Sequence, residues 1–266
     1  MKILVCIKKI PDPEIPPSKF CVDEAKKEVI PPEGIPPVMN PYDCCALEIA
    51  LRVKEKVDSK VIAISLDEEG STEIIRQALA MGADEGILLV DKKFRGLDSH
   101  LTAFILSQTI KKIGDFDLIL CGKQAADWEE GLVGALLAEN LSLPLINSVS
   151  EVSYQDGEFI VKRVLLDGYQ LISVKPPLLL TVSSEGIKAR LPTGWGIIEA
   201  TRKEIPRWGA AEIEAEPLPE YLNHPRRRLL RLLLPEKKRR CEILEGNTPE
   251  EVSLKLSERL RKQGLI

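Results

Sequence analysis

The sequence predicts an α/β protein with a doubly wound, mostly parallel sheet, to which antiparallel strands and a C-terminal arm ending in a helix are added. Over about the first 140 residues, short apolar runs alternate with segments of helical spacing. Parallel strands require crossover connections, so this alternation favours a parallel sheet with helices packed against it. From about residue 147 the pattern changes to hairpin-type strands, and after residue 200 it no longer resembles a core.

Four apolar runs are the predicted parallel strands: residues 3–7, 61–65, 86–90 and 118–121. Runs of this kind are typical of strands that are buried on both faces of a sheet. Ligands of open α/β sheets bind beyond the carboxyl ends of the strands. We therefore expect the functional site where these four runs end.

The helices predicted between the strands have recognisable ends. Asn40 and Pro41 suit the N-cap and the first position of the first helix. Gly82 suits the end of the second helix, and Asp98 suits the N-cap of the third. Residues 129–140 are the predicted fourth helix. These signals complete the alternation of strand and helix.

The second part of the chain predicts a hairpin. Residues 148–154 and 159–165 flank an Asp-Gly pair that is typical of a tight turn. Residues 169–174 and 178–182 are two further predicted strands. We assign residues 1–200 to an α/β domain on this pattern.

Residues 201–266 are predicted to form an extended arm. Prolines punctuate it, and it carries basic runs at 226–228 and 237–240. Residues 249–260 regain a helical pattern after Thr248, a suitable N-cap. Such an arm is typical of a chain that wraps around a partner, while the basic runs also fit a solvated surface.

Composition excludes several classes of function. The 266 residues have a net charge of −4, which argues against nucleic-acid binding, and include only two histidines, too few for a His-rich metal centre. No apolar run approaches the roughly 18–20 residues of a membrane span. The six cysteines lack the spacing of a zinc or iron–sulfur site, so we expect free thiols and a cytoplasmic protein. No motif indicates a catalytic nucleophile or general base.

Residues 122–127 form the candidate ligand loop. Its small residues would allow backbone amides to approach a phosphate, and the N-terminus of the following helix favours an anion. A plain strand-to-helix turn is the alternative. Together with the helix start at Asn40 and the turn at 80–84, the loop suits an adenine nucleotide better than a reaction centre.

Several stretches together resemble the beta subunit of electron transfer flavoproteins. They are residues 3–8 with Pro11 and Asp12, 39–43 with 46–48, 78–84, 122–127 and 162–168 leading to Pro177 and Thr181. The similarity covers about residues 1–205. It implies an adenine nucleotide alpha hydrolase-like fold and a heterodimer with an alpha subunit that carries the redox FAD.

In most members of that family the beta subunit holds AMP. In electron-bifurcating members it holds a second FAD, which takes a hydride from NADH. The implied partners are the alpha subunit and an acyl-CoA dehydrogenase-like or other redox protein. Carried over by position, the family's nucleotide contacts are Cys6, Asn40, Pro41, Tyr42, Asp43, Leu66, Gly122, Lys123, Gln124, Ala125, Ala126, Asp127, Gly131, Leu132 and Val133.

Residues 96–102 resemble a Gly-x-Asp-Thr-x-x-Thr stretch of bifurcating and nitrogen-fixation-associated members. Asp98, Ser99 and Thr102 are the matching positions, and simple N-capping is the alternative role.

Three features depart from the family pattern. The loop has Glu130 where a Thr is usual and Leu132 where a Gln is usual. The stretch 183–190, which corresponds to the partner-recognition loop, contains no Leu, and Trp195 stands between two glycines as either an interface anchor or a core residue. An alternative hypothesis is therefore a non-redox structural subunit with a degenerate nucleotide site.

Overall fold

The computed structural model describes residues 1–16, 18–30, 32–67, 70–215, 226–227, 229–234 and 241–266. The chain forms two compact units, Met1–Arg231 and Leu232–Ile266. The basic run predicted at 237–240 and Arg228 of the other basic run lie outside the described residues. The boundary that we predict at residue 200 stays a prediction.

Among the residues that the structure describes, the first unit contains the strands and five α-helices. The strands are β1 (Lys2–Ile7), β2 (Lys9–Ile10), β3 (Cys21–Asp23), β4 (Glu28–Ile30), β5 (Val38–Met39), β6 (Lys60–Leu66), β7 (Glu85–Leu89), β8 (Leu118–Gly122), β9 (Leu145–Gln155), β10 (Glu158–Leu165), β11 (Gly168–Val174), β12 (Leu178–Val182) and β13 (Arg207–Trp208). The helices are α1 (Pro41–Lys54), α2 (Glu73–Met81), α3 (Ser99–Ile113), α4 (Val133–Leu141) and α5 (Gly194–Arg202).

Among the described residues, the main sheet has nine strands in the order β11-β10-β9-β12-β8-β1-β6-β7-β13. Seven of these strands run parallel to one another: β9, β12, β8, β1, β6, β7 and β13. Next to β9, β10 and then β11 extend the sheet as antiparallel strands. The predicted fold class is confirmed. The chain runs outward from β1 through β6 and β7, then returns to β8 on the other side of β1. The crevice between β1 and β8 is thus the switch point at which such sheets bind ligands.

Side chains of β1 alternate between two apolar layers. Ile3 and Val5 pack with α1 and α2 on one face, while Leu4 and Cys6 pack with α3 and α4 on the other. The strand is therefore buried on both faces, which explains why its sequence is a continuous apolar run rather than an alternating one.

The hairpin prediction is confirmed by β9 and β10. Asp156 and Gly157 have φ values of 49° and 85°, the left-handed pair of a tight turn that keeps the two strands' twist. The predicted strand at 178–182 is β12, which lies inside the parallel sheet between β8 and β9 rather than at its edge.

The predicted start of the fourth helix is wrong. The helix begins at Val133 and not at residue 129, because Glu129 and Gly131 have φ values of 54° and 64°, which a right-handed helix cannot contain. The loop after β8 is consequently longer than the sequence indicates, and Gly134 but not Gly131 lies in the first turn of α4.

The second unit contains the predicted terminal helix. This helix, α6 (Pro249–Lys262), begins after Thr248, whose hydroxyl accepts a hydrogen bond from the backbone amide of Glu251 at 3.3 Å. The N-cap prediction at Thr248 is confirmed. Leu254 and Leu256 are exposed on α6, and none of its side chains is buried.

Candidate functional site

Asp43 closes the crevice between β1 and β8. Its Oδ2 accepts a hydrogen bond from the amide of Lys8 at 2.8 Å, and its Oδ1 accepts one from the amide of Gly122 at 3.0 Å. Both donors come directly at or after the ends of the two strands, where the sheet's own hydrogen bonds stop. One buried carboxylate therefore joins the carboxyl ends of both strands to the first turn of α1.

Gly122 is required by this arrangement. A Cβ at position 122 would lie 2.3 Å from Asp43 Oδ1 and 2.7 Å from the Cβ of Tyr42. Such distances are far inside van der Waals contact, so any other residue would push α1 away from β8. The glycine predicted as part of a phosphate loop thus has a packing role of its own.

Burial raises the pKa of Asp43 to about 7, against hydrogen bonds from the Lys8 amide, the Asn40 side chain and the Gly122 amide that lower it. The side chain is 6% exposed. Desolvation disfavours the charged carboxylate, whereas the donors stabilise it. The site therefore contains a carboxyl group that titrates close to neutral pH.

Asn40 fixes the candidate loop to the strand ends. Its Nδ2 donates to the carbonyl of Gln124 at 2.9 Å, and its Oδ1 accepts from the amide of Ala126 at 3.1 Å. Its own amide donates to the carbonyl of Lys8 at 2.9 Å. Asn40 is the N-cap residue of α1 by position, as predicted, but its side chain makes no capping hydrogen bond and its amide group serves the loop instead. Asn40 is 1% exposed.

A salt bridge closes the same loop from the other side. Lys8 Nζ lies 2.6 Å from Asp127 Oδ2. Lys8 was not among the predicted site residues, although its position directly after a buried strand was a usable signal. The loop is therefore held at Gln124, Ala126 and Asp127 by Lys8, which directly follows β1, and by Asn40, which directly precedes α1.

The rest of the loop folds back towards its beginning. The amide of Glu129 donates to the carbonyl of Ala125 at 2.8 Å, and a Cβ on Gly131 would lie 3.4 Å from the carbonyl oxygen of Lys123. The amides of Gly131, Leu132 and Val133 have no hydrogen-bond acceptor within the described part of the chain. Free amides at the start of α4 suit an anionic group such as a phosphate.

The N-terminus of α3 lies against this loop. Asp98 accepts a hydrogen bond from the amide of Leu101 at 2.9 Å, so the capping role is confirmed. The hydroxyl of Ser99 donates to the carboxylate of Glu130. Thr102 is partly buried within α3, and its amide donates to the carbonyl of Asp98 at 3.0 Å. Ser99 is thus the member of this stretch that contacts the loop through its side chain.

Glu130 also pairs with an arginine of the arm. The guanidinium of Arg227 contacts the Glu130 carboxylate and lies 5.5 Å from the centroid of the Trp128 ring. The amide of Arg226 donates to Asp98 Oδ2 at 2.7 Å. Sequence reasoning missed this contact, because a basic run and a short acidic run each resemble ordinary solvated surface.

Cys6 and Cys121 lie side by side below the strand ends. They are in-register partners of β1 and β8, and both are buried. The hydrogen bond with Cys6, together with burial, raises the pKa of the Cys121 thiol well above its usual value. The Cys121 thiol therefore stays uncharged in the floor below the strand ends. Leu66, at the end of β6, is partly buried.

Most predicted contacts are brought together at one edge. Asn40 and Asp43 face the loop, and the Cβ of Tyr42 lies against Gly122 at the end of β8. Pro41 is the first residue of α1. Leu132 precedes α4 with its side chain 47% exposed.

The stretch 183–190 is bound to α1. Arg190 Nε lies 2.7 Å from Glu48 Oε2, and the Arg52 guanidinium donates to the carbonyl of Lys188 at 3.2 Å. Burial would raise the pKa of Glu48, but hydrogen bonds from Arg190 and Arg52 outweigh it and lower the pKa. The end of this stretch is therefore anchored through a buried carboxylate.

Apolar side chains project directly after this anchor. Leu191 is 85% exposed and Trp195 is 68% exposed, so the alternative in which Trp195 fills the core is wrong. Ile198, three residues further along α5, is also exposed. Gly196 allows α5 to pack closely, since a Cβ there would lie 2.3 Å from the carbonyl oxygen of Ala80.

Within the part of the chain that the structure describes, no group of three His, Cys, Asp or Glu side chains is placed to hold a metal ion. No described helix combines the length and apolar character that a membrane span requires.

Comparison with known proteins shows the family of the chain. The Electron transfer flavoprotein domain matches residues 29–219. The chain is 38% identical to the electron transfer flavoprotein subunit beta of Thermoanaerobacterium thermosaccharolyticum, and 35% identical to the caffeyl-CoA reductase-Etf complex subunit CarD of Acetobacterium woodii, over the full length of each. It is 33% identical to the protein FixA of Sinorhizobium fredii, covering 81% of this chain and 76% of that protein. The chain belongs to the electron transfer flavoprotein family, in its beta-subunit branch.

Proposed function

We propose that this chain is the beta subunit of a heterodimeric electron transfer flavoprotein that binds FAD, or AMP, at the edge formed by β1, β8 and α1. The observation that carries the proposal is the attachment of the 122–132 loop by Asn40 and Asp43. This attachment places a loop with free amides at the switch point of the sheet. A structural turn alone would not need two buried side chains to hold it in this position.

The residues present fit a nucleotide phosphate. The amides of Gly131, Leu132 and Val133 would donate to it, and the small residues Ala125 and Ala126 leave the backbone accessible. Lys123 is exposed beside them and supplies positive charge. When bound, a flavin supplies the redox chemistry, and the chain's own residues position the phosphate and keep the strand ends together.

We assign the exposed apolar residues Leu191, Trp195 and Ile198 to contact with another protein of the electron-transfer complex. Tryptophan is among the residue types that are enriched in interface hot spots, and Trp195 is 68% exposed here with apolar neighbours. The partners we propose are the flavin-bearing alpha subunit and a redox enzyme of the acyl-CoA dehydrogenase type, with NADH as electron donor in the bifurcating case. Relatives include subunits of caffeyl-CoA reductase and acryloyl-CoA reductase complexes. We place the complex in the cytoplasm.

The test is to purify the chain with its alpha subunit and count nucleotides in each heterodimer. Two FAD molecules per heterodimer support the bifurcating form, and one FAD with one AMP supports simple electron transfer. Asn40→Ala should release the nucleotide of this subunit, because both contacts with the loop are lost. Asn140→Ala, at an exposed position of α4, is the matched control and should retain it. Full retention in Asn40→Ala would contradict the site.

A second candidate function is a structural subunit without a bound nucleotide. It is favoured by Glu130, which places a carboxylate in the loop, and by Leu132, whose exposed side chain offers no hydrogen bond. In that case the native chain binds neither FAD nor AMP, and the double variant Glu130→Thr with Leu132→Gln gains nucleotide binding. Binding by the native chain eliminates this candidate.

A further inference from the structure

Glu130, in the 122–132 loop, has a carboxylate with two partners. Its side chain accepts a hydrogen bond from Ser99 and pairs with Arg227, whose guanidinium also lies over the Trp128 ring at 5.5 Å. Glu130 is partly buried, whereas the neighbouring Glu129 is exposed. Donors from α3 and from the arm thus converge on one negatively charged group inside the loop.

The Glu130 carboxylate belongs to the residue next to the free amides of the loop. Glu130 directly precedes Gly131 and Leu132, whose amides have no acceptor within the described residues. A phosphate at those amides would place a second, linked phosphate close to Ser99 and Arg227, because a diphosphate extends only a few ångströms. The Glu130 carboxylate already holds both donors. Two anions cannot share them without strong repulsion.

We propose that Glu130 takes the place of the outer phosphate, so that the loop favours a ligand with one phosphate group over a ligand with two. This inference rests on the proposed nucleotide site. A diphosphate-containing ligand, including a dinucleotide, must displace Glu130 from Ser99 and Arg227 before it binds. Glu130 is therefore the residue that sets selectivity for phosphate number.

The arm takes part in this selectivity. Arg227 supplies the guanidinium, and the amide of Arg226 holds the same segment to Asp98 at 2.7 Å. In a Glu130→Gln variant, Arg227 and Ser99 are available to an outer phosphate. Replacing Arg227 as well should abolish the increase in affinity for the ligand with two phosphates.

The experiment measures the affinities of AMP and ADP by calorimetry, using the full chain in complex with its alpha subunit after this subunit's nucleotide has been removed. These probes differ only in one phosphate. Glu130→Gln should lower the ratio of the ADP and AMP dissociation constants by about tenfold or more, since it removes one full charge from the site. Glu129→Gln, which makes the same charge change in the same loop, should leave the ratio within about twofold. Adding Arg227→Gln to Glu130→Gln should restore the native ratio.

The outcomes separate the two proposals. Equal changes in the ratio for the Glu129 and Glu130 variants, or no change for either, would overturn the role of Glu130 while AMP binding still supports the site. A complex in which neither AMP nor ADP binds to any variant would overturn the site and this inference with it.

Discussion

The pKa of Asp43 leads to a prediction about stability. In the folded chain this pKa is raised from 3.8 to about 7, chiefly by burial. The folded state therefore keeps the proton up to about pH 7, whereas the unfolded chain releases it near pH 4. Between these limits the folded state binds more protons, so the free energy of unfolding falls as pH rises. The contribution is complete below about pH 4 and lost above about pH 7.

The size of the effect follows from the shift. Each pH unit in that interval is worth about 1.4 kcal/mol, so the full change amounts to about 4 kcal/mol. Asp43→Asn removes the titrating group and also loses one of the two backbone hydrogen bonds, because an amide offers only one acceptor oxygen. The lost bond gives a constant offset. The slope with pH is therefore the informative quantity.

The assay is urea unfolding from pH 5 to pH 8, with the difference in unfolding free energy taken between the wild-type chain and the variant. From pH 5 to pH 7 the wild-type chain should lose about 2–3 kcal/mol relative to Asp43→Asn, and the difference should then stay constant. Asp115→Asn, at an exposed position after α3, is the control and should show no slope.

A difference that does not depend on pH, or that rises with pH, would refute the reasoning. It would mean that the amides of Lys8 and Gly122 stabilise the charged carboxylate more than burial penalises it. A titration of the Asp43 carboxyl carbon by nuclear magnetic resonance would then give a midpoint at or below 3.8, rather than near 7.

Three further predictions concern packing and interfaces. Gly122→Ala should lower the unfolding free energy by about 1–3 kcal/mol, because the new Cβ would lie 2.3 Å from a carboxylate oxygen of Asp43. The control is Gly168→Ala, where a Cβ would meet no atom within 4 Å, and it should change the unfolding free energy by less than about 0.5 kcal/mol. Arg190→Ala should cost about 2–4 kcal/mol in urea unfolding at pH 7 by leaving Glu48 with fewer partners. This cost should shrink as pH falls below 4.5 through the lowered folded pKa. Trp195→Ala should weaken binding to the alpha subunit by at least about tenfold in surface plasmon resonance, with an unchanged melting temperature.

Each of these three predictions has a result that would contradict it. Equal losses of unfolding free energy in the two glycine variants would show that a side chain at position 122 meets no steric clash. A cost for the arginine variant that does not fall at all down to the lowest pH at which the chain stays folded would show that the charge of Glu48 is not involved. If Trp195→Ala binds the alpha subunit as tightly as the wild-type chain does, Trp195 does not contribute to that interface.

The parallel core could be predicted from the sequence because its strands are buried on both faces. The four apolar runs are β1, β6, β7 and β8, each within two residues of the predicted ends. Local caps were equally readable, since Asp98 and Thr248 both accept the hydrogen bonds expected of N-caps. In these elements, local preference and tertiary packing favour the same conformation.

Local preference failed where a tertiary contact competed with it. Asn40 precedes a proline at a helix start and suits an N-cap, yet its side chain bonds to the loop after β8, which is distant in sequence. The start of α4 was misplaced for a related reason. Glu129 favours a helix by composition, but the loop needs a left-handed residue there in order to turn back towards Ala125.

The contact between Glu130 and Arg227 could not be read from either residue alone. In sequence, Glu130 is a departure that places a charge beside a phosphate loop, and Arg227 belongs to a basic run without an assigned role. Each is unfavourable or unexplained by itself. In the structure each supplies what the other lacks, because the guanidinium neutralises the carboxylate and the carboxylate gives the arm a fixed position on the loop. A departure from a family pattern at a charged position is therefore best examined together with the unassigned opposite charges elsewhere in the same chain.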